Sequence, residues 1–313
     1  MMDNQKKYFI YGSIITGLII AFTVGGFFFL LEQSIDESKP IDITDQTFAN
    51  LLKEENVEKF NALRNDWNEN ISLLNLDLSR KNLSGANLNH ISFTNSNFKN
   101  TNLTYSNLQG VGLNGARLDG ANLTNADLRS GHFEDAVLSN ADMNGALLHF
   151  ANFKGATLAK IDFQNSRLIF TNLEDANLSG SILNGAMLDG ANLEGVFLIE
   201  TDLSNVDLSD TNFRNASLWE SYFRGANMQY ISLHGASLTE ADLSKTNLKN
   251  ARLDGANLWN ANLTDANLSG AVLSNANLRE ADLRGANLDY TDLRGAKLPI
   301  SLEEAKARGA IID

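Results

Sequence analysis

Large apolar residues recur at every fifth position through most of the chain. The period holds without a slip from Leu73 to Leu298, and each of these sites carries Leu, Phe or Met. A five-residue step turns an α-helix by about 140°, which would spread these residues around every side. In a β-strand an odd step would move them to the opposite face each time. The spacing therefore predicts a chain that bends once in each unit and keeps one side inward.

Each unit has the polarity of a short strand followed by a turn. A small residue, an Asn or Asp and then the large residue give an in–out–in alternation, as in Ala86, Asn87 and Leu88. The two remaining positions favour turn formers such as Ser, Asp and Gly. A bend of about 90° per unit closes a four-sided coil of four units, and such coils stack at about 4.8 Å. Residues 71–298 then form about eleven 20-residue coils.

The repeated motifs resemble those of a known family. The stretches "LSGANL", "LDGANL" and "LRGANL" are similar to the repeats of pentapeptide-repeat proteins, and the resemblance covers 71–298. It implies an all-β solenoid, a right-handed quadrilateral β-helix. It also implies terminal caps, because "VEKFNALRND" resembles the helical N-terminal caps of that family and "LPISLEEAKARGAIID" resembles its C-terminal closure. Caps are expected on physical grounds too, since an open coil end exposes core and unpaired edges.

Short helices are predicted on both sides of the repeat. Apolar residues at three- and four-residue spacings in "TDQTFANLLKEENVEKFNALRND" indicate two helices, which we assign to a helical N-cap over residues 44–70. Asn56 is a residue that tolerates a left-handed turn between them. For the C-terminal cap, 299–313, Ser301 and Glu304 predict a capping box at the start of a helix that Gly309 ends.

The N-terminus carries a long uncharged segment. Tyr8–Leu31 contains no charged residue and is long enough, as a helix, to cross a hydrocarbon core of about 30 Å. We therefore predict a cytoplasmic tail and transmembrane helix over residues 1–31, in contact with membrane lipid, and a linker over 32–43. Lys6 and Lys7 precede the segment, which predicts a repeat domain outside the cytoplasm, in a periplasm, a lumen or the cell exterior. The alternative is a cleaved signal peptide.

Composition argues against several kinds of functional site. The chain has no cysteine, and its formal net charge of -13 argues against direct binding of nucleic acid. The four histidines do not converge when the repeat is folded into coils, and no nucleophile constellation or phosphate-binding loop appears. We predict no catalytic, cofactor-binding or metal-binding residues, no cofactor and no enzyme activity.

Large apolar residues at outward positions, which are polar in most units, form the candidate binding surfaces. Residues 20 apart share one side of the coil, so two groups of large residues assemble. We call the first the tryptophan patch: Phe197, Ile199, Trp219, Glu220, Tyr222 and Trp259. Glu200, Glu220 and Glu240 run beside it as an acidic column. We call the second, on the opposite side, the phenylalanine patch: Leu147, Phe150, Ile169, Phe170 and Met187. Contiguous apolar patches mark contact sites, whereas drift of the repeat or stacking of these rings on one another is the alternative.

These features predict a scaffold. The leading hypothesis is a membrane-anchored, non-enzymatic module that presents a rigid rod to an unknown protein partner, a membrane complex or a second copy of itself. The alternative is an acidic rod that mimics DNA and acts on a topoisomerase, as some pentapeptide-repeat proteins do, if the domain is cytoplasmic. An enzyme or carbohydrate-binding solenoid would need convergent carboxylates in a groove, which a convex rod does not offer.

Overall fold

The repeat region winds once every 20 residues. In the computed structural model, which describes residues 19–24, 27–32, 44–65, 67 and 70–312, nearly every outward Asn or its equivalent before the last coil forms a parallel bridge with the residue 20 positions later. Asn82 pairs with Asn102, and Asn87 pairs with Asn107 on the next side. Contacts divide the chain into two units, residues 1–50 and 51–313, and the coils belong to the second.

A left-handed residue ends every unit. Each fifth residue from Asn75 to Gly295 has a positive φ. Gly and Asn fill most of these positions because they adopt this conformation at the least cost. The outward Asn also caps the turn, since the Asn82 Oδ1 accepts from the Ser84 N–H at 3.3 Å. Its amide extends a ladder between coils, in which Asn102 Nδ2 donates to Asn82 Oδ1 at 2.9 Å.

Backbone hydrogen bonds join each coil to the next. Leu83 N–H donates to the Asn102 carbonyl at 2.8 Å, and Gly85 N–H donates to the Thr104 carbonyl at 2.9 Å. In the other direction Asn102 N–H donates to the Lys81 carbonyl at 2.9 Å. The pattern repeats on all four sides, so the polar backbone is satisfied even though no unit of the described coils contains a long strand.

The large residue of each unit fills the interior. The Leu, Phe and Met residues from Leu78 to Leu288 are almost completely buried, and the small residues beside them are buried as well. Burial of each such side chain stabilises the fold by about 1.5–3 kcal/mol. The core rings of Phe133 and Phe153 stack, with centroids 4.5 Å apart. Phe93 and Phe98 meet edge to face instead.

The first coil is completed by side chains that precede it. Helices α1 (Asp45–Lys53) and α2 (Val57–Asn65) come before the repeat. Asn61 on α2 accepts from the Asn87 N–H at 2.8 Å and donates to the Gly85 carbonyl at 3.0 Å. The Asn87 N–H and the Gly85 carbonyl belong to the first coil and have no preceding coil to pair with. The Asn61 side chain satisfies both groups in place of that coil's backbone.

The turn between α1 and α2 differs from the prediction. The left-handed residue is Glu55, with a φ of 58°, and not Asn56. Asn56 caps α2 instead, since its Oδ1 accepts from the Lys59 N–H at 3.2 Å. The Glu55 carboxylate accepts from the Asn82 N–H at 2.8 Å, and this hydrogen bond lowers the pKa of Glu55. Lys81, which interrupts the pattern of small inward residues, pairs with the same carboxylate at 3.4 Å.

The last coil is closed by helix α3 (Leu302–Ala307) and the residues after it. Ser301 is the N-cap of this helix, and its hydroxyl accepts from the Glu304 N–H at 3.1 Å. The Arg308 guanidinium donates to the carbonyls of Leu283 and Ala286, both at 2.7 Å. Ile311 then pairs with the coil as a further strand segment.

The transmembrane prediction is wrong. Part of Tyr8–Leu31 forms two antiparallel strands, β1 (Ile19–Val24) and β2 (Phe27–Glu32), and the rest of that segment lies outside the described residues. No helix in the described part of the chain is both long and apolar enough to cross a membrane. The segment is rich in Ile and Phe, and Gly25-Gly26 separates the two strands, a pattern that favours a hairpin. The predicted single-pass topology, the assignment to the two sides of a membrane and the lipid contact are withdrawn. The predicted tail, 1–7, and nearly all of the 32–43 linker lie outside the described residues.

One interface between coils is incomplete, and we call it the seam. Among the described residues, no backbone hydrogen bond of normal geometry connects 181–190 to 201–210, although Phe163 and Leu203 in the adjacent coils both donate normally. A single bridge, Ile182 with Asp202, remains on these two sides. Ile182 and Met187 occupy two consecutive outward positions where Asn or Asp usually stands, so neither can extend the amide ladder. The seam is therefore the weakest contact in the stack.

The seam predicts a local gap in hydrogen-exchange protection. The Leu188 amide has no partner in the next coil and the Leu183 amide has only the weak Ile182–Asp202 bridge, so both should exchange faster than those of Phe163 and Phe223. Exchange measured by mass spectrometry with short overlapping peptides tests this. Equal protection across the four residues would show that the seam is closed in solution.

A second prediction concerns core packing. A Cβ on Gly131 would lie 2.6 Å from the Phe133 ring and 3.0 Å from the Leu128 carbonyl oxygen. Gly131→Ala should therefore destabilise the protein by about 1–3 kcal/mol, as overpacking does. Gly112→Ala is the matched control, because its Cβ would meet only ordinary contacts at 3.5 Å. Urea denaturation of the two variants should separate them, and equal midpoints would contradict the packing argument.

Candidate partner-binding surface

The tryptophan patch is centred on one outward column. Ile199, Trp219 and Trp259 lie on the same side of the coil because they are separated by multiples of 20 residues. Trp219 is 42% exposed and Trp259 is 40% exposed, whereas Ile199 is half-buried. Thr239 stands between the two indoles, which are therefore two coils, or about 10 Å, apart. The column thus presents two large rings with a small residue between them.

The patch continues around the neighbouring corner. Phe197 is 43% exposed and pairs with Ser217, on the same side as the tryptophans. Tyr222 is 49% exposed and bridges Asp202 and Asp242 on the adjoining side. The structure therefore brings the predicted residues together over one corner of the β-helix.

The acidic column is attached to the tryptophans by the backbone. Glu200 N–H donates to the Trp219 carbonyl at 3.1 Å, and Glu240 N–H donates to the Trp259 carbonyl at 3.0 Å. Glu200, Glu220 and Glu240 all have positive φ values, 54°, 53° and 60°. A Glu in this conformation costs more than the Gly or Asn that other units place there. The placement of these three glutamates beside the indole column therefore has an energetic cost in backbone conformation.

These carboxylates have no internal counter-charge. Among the described residues, none of the ion pairs involves Glu200, Glu220 or Glu240, and none involves the neighbouring Asp202 or Asp242. Column spacing places like charges about 4.8 Å apart along the backbone, where they repel. This corner is therefore a strip of unneutralised negative charge beside exposed rings.

Several aspartates elsewhere on the β-helix pair with an arginine of their own unit. Asp127 pairs with Arg129 at 2.6 Å, and Asp292 pairs with Arg294 at 2.7 Å. In each case the hydrogen bond from the arginine two residues later lowers the pKa of the aspartate. Ser204 and Ser244 occupy the corresponding positions after Asp202 and Asp242, so these two aspartates beside the tryptophan patch have no such arginine.

The phenylalanine patch has a different internal structure. Phe150 and Phe170 stack with centroids 5.5 Å apart and ring planes 12° apart. A Cβ on Gly190 would lie 2.5 Å from the Phe170 ring, so this glycine provides the space that the ring occupies. Leu147 and Ile169 are half-buried, and Met187 is 45% exposed at the seam. Stacking between coils thus accounts for part of this patch.

Stacking of the rings on one another accounts for one patch and not for the other. Within the described residues, no ring contact involves Trp219, Tyr222 or Trp259. Stacking of the rings on each other therefore does not explain the tryptophan patch, although it does explain Phe150 and Phe170. The sequence analysis missed Ile182, which is 43% exposed in the same column as Tyr222. Its signal was available, because it breaks a run of Asn and Asp at that outward position.

Other kinds of site find little support. In the part of the chain that the structure describes, no group of three or more His, Asp or Glu residues is placed to hold a metal ion. Two shallow depressions, of about 490 and 370 Å³, lie at the ends of the β-helix and away from both patches. Arg308 lines the first, and Arg64 lines the second. Both arginines donate to backbone carbonyls of the terminal coils, so they close the fold.

A solenoid of stacked five-residue units with exposed outer patches defines the class of protein. Sequence models of the family agree, since eight copies described as pentapeptide repeats match within residues 146–298, and a pentapeptide repeat region matches residues 69–143. The chain belongs to the pentapeptide-repeat family, whose members form right-handed β-helices.

Solved structures of the same family are similar to this chain. HetL, a pentapeptide repeat protein involved in heterocyst differentiation regulation in the cyanobacterium Nostoc sp. strain PCC 7120, is 28% identical. The match covers 76% of this chain and 95% of HetL, with a TM-score of 0.26. Rfr23 from the cyanobacterium Cyanothece 51142 is 35% identical over 39% of this chain and 88% of its own, with a TM-score of 0.26.

A more distant neighbour is QnrB1, a plasmid-mediated fluoroquinolone resistance protein. It is 18% identical, and the match covers 78% of this chain and 94% of QnrB1 with a TM-score of 0.30. The comparison with curated proteins found no significant match. With these TM-scores, the family assignment depends on the repeat sequence and not on superposition.

Repulsion within the acidic column predicts a stability gain on neutralisation. Replacing Glu200, Glu220 and Glu240 together by Gln keeps the side-chain shape and removes three stacked charges, so the Tm at low salt should rise. The rise should shrink as salt screens the charges in the parent protein. Thermal denaturation followed by circular dichroism measures it. A lower Tm for the triple variant would mean that the carboxylates have stabilising partners.

Proposed function

We propose that this chain is a non-enzymatic protein-interaction scaffold whose β-helix displays the tryptophan patch to a partner. One observation carries the proposal: Trp219 and Trp259 are held at a fixed spacing, largely exposed, without a ring partner among the described residues. Exposed patches of this kind mark interaction sites, and Trp and Tyr are the residues that most often anchor interfaces. Pentapeptide-repeat proteins are generally structural or interaction modules, which supports the same conclusion.

Rigidity favours this role. The rings project from turns whose backbone is fixed by hydrogen bonds to the next coil, as at Glu240 and Trp259. A surface that is already ordered loses little conformational entropy when a partner binds. The tryptophan patch therefore has the geometry of a preformed docking surface.

The finer architecture belongs to the same proposal. We propose a quadrilateral rod of about eleven coils over residues 71–298, about 55 Å long at the usual strand spacing. Residues 44–70 act as the N-terminal cap, and 299–313 act as the C-terminal cap. The phenylalanine patch is a second candidate surface, for a different partner or for a second copy of the chain.

The acidic DNA mimic is the weaker candidate. The net charge of -13 favours it. Part of that charge is nevertheless paired locally, as at Asp127, Asp282 and Asp292, each of which pairs with an arginine two residues later. A DNA mimic needs a continuous negative surface, whereas here Asn ladders and exposed rings interrupt the carboxylates. A topoisomerase supercoiling assay with the purified chain would separate the candidates, and inhibition would favour mimicry.

The test is site-specific photocrosslinking in cells that express the full chain. A photoreactive residue at Thr239, between the two indoles, should give a discrete crosslinked partner. The same residue at Ser139, in the same column but far from the patch, is the control. Trp219→Ser together with Trp259→Ser should abolish the crosslink at 239 and leave the circular dichroism spectrum unchanged, because both rings are outside the core. Equal crosslinking at 139 and 239 would overturn the proposal.

A further inference from the structure

We propose that the segment that docks on the tryptophan patch is a basic, extended segment of the partner protein. Its lysine or arginine side chains would lay their methylene stems against Trp219 and Trp259 and place their charges on the acidic column. The inference depends on the proposed function, since it names the chemistry of the partner at that same surface.

Charge complementarity is the first argument. The four outward columns that form this corner, from Phe197 to Asn262, contain five carboxylates and no Lys, Arg or His. The carboxylates belong to Glu200, Asp202, Glu220, Glu240 and Asp242. None has an ion-pair partner among the described residues, so a cationic segment would relieve their mutual repulsion as well as adding attraction.

The position of the rings is the second argument. The backbone N–H of each glutamate donates to the carbonyl of the residue 19 positions later, so the backbone of Glu200 is paired with that of Trp219 and the backbone of Glu240 with that of Trp259. A lysine or arginine can then use both groups at once, with its stem on the indole face and its charge at the carboxylate. Carboxylates alone would attract any cation, whereas paired rings select a cation that carries an apolar stem.

The shape of the corner is the third argument. Thr239 separates the two indoles by a small residue, and its hydroxyl accepts from Asn257 Nδ2 at 2.9 Å, which holds it close to the backbone. The notch between the rings is about two coils wide, or about 10 Å. On an extended chain every second side chain faces the same way at intervals of about 6.6 Å, so the long stems of two such cationic side chains can reach both indoles across the notch. A globular cationic surface would contact only the tips of the rings.

Nucleic acid and acidic peptides are unsuitable occupants of this corner. Both would bring further negative charge to carboxylates that already repel one another. The phenylalanine patch of a second copy would also fit poorly, because its central rings, Phe150 and Phe170, already stack on each other and offer no row of cations.

The experiment uses the full chain and a defined probe. The probe is a peptide of about ten residues with lysine at every second position and serine between, which is long enough to span the notch when extended. Binding is followed by intrinsic tryptophan fluorescence and confirmed by calorimetry at low and high salt. Three variants are compared with the parent. The first replaces Glu200, Glu220 and Glu240 by Gln, and the second replaces Glu54, Glu58 and Glu303 by Gln, three exposed glutamates that also have no ion-pair partner among the described residues.

The two triple variants carry the same change in net charge but differ in place. We expect the first to bind the peptide about tenfold more weakly and to lose most of the salt dependence. The second should bind like the parent. The third variant, Trp219→Ser with Trp259→Ser, should weaken binding while keeping the salt dependence, because the carboxylates remain.

Equal weakening by both triple variants would reveal only general attraction to an acidic protein and would overturn the inference. No loss with the tryptophan variant would also overturn it, since the rings would then take no part. The proposed function fails separately, by the crosslinking test. A partner captured at position 239 whose binding is insensitive to salt and to the three glutamines would leave the scaffold in place and remove the basic segment.

Discussion

Backbone pairing between coils at a 20-residue register is the constraint on which the rest of the structure depends. Every unit must bend within five residues so that the chain comes back over itself after 20 residues. Leu83 N–H then meets the Asn102 carbonyl of the next coil, and the following coil repeats the match. The left-handed residue at the end of each unit makes the bend possible. Once the register is set, inward positions become a continuous core and outward positions become straight columns. The chemistry of each surface then follows from which residues the sequence places 20 apart.

Much of the fold could be predicted from this regularity, whereas the structure at positions that depart from it could not. The five-residue period predicted a β-helix, and the alignment of Trp219 with Trp259 followed from counting alone. The segment before the repeat was harder, since a long apolar run suits a membrane helix by length and a hairpin by its β-branched and aromatic residues. Composition does not decide between these, and the structure has strands at Ile19–Val24 and Phe27–Glu32. Glu55 in the left-handed turn was also unforeseen, because Asn56 beside it is intrinsically better suited.

Side-chain contacts between columns are a further limit of sequence reasoning. Both patches look alike as strings of large outward residues, yet Phe150 and Phe170 stack while the indoles are two coils apart and do not. The difference depends on the neighbour along the column: Gly190 leaves room for a stacked ring, whereas Thr239 keeps the tryptophans separate. Leu147, Met187, Phe197 and Tyr222 occupy the outward position that elsewhere holds the Asn ladder, so each patch replaces some hydrogen bonds between coils with exposed apolar surface. The surfaces are thus obtained at the expense of local stability, which is typical of functional sites.

The seam between 181–190 and 201–210 has a consequence for how the molecule comes apart. A solenoid is stabilised mainly by contacts between adjacent repeats, so cooperativity fails first at the weakest of them. The coils before the seam are closed by Asn61 and contain the phenylalanine patch, whereas those after it are closed by Arg308 and contain both exposed tryptophans. The tryptophan patch spans the seam, since Phe197 and Ile199 precede it. Opening of the seam would therefore leave the phenylalanine patch intact while it separates the two indoles from Phe197 and Ile199.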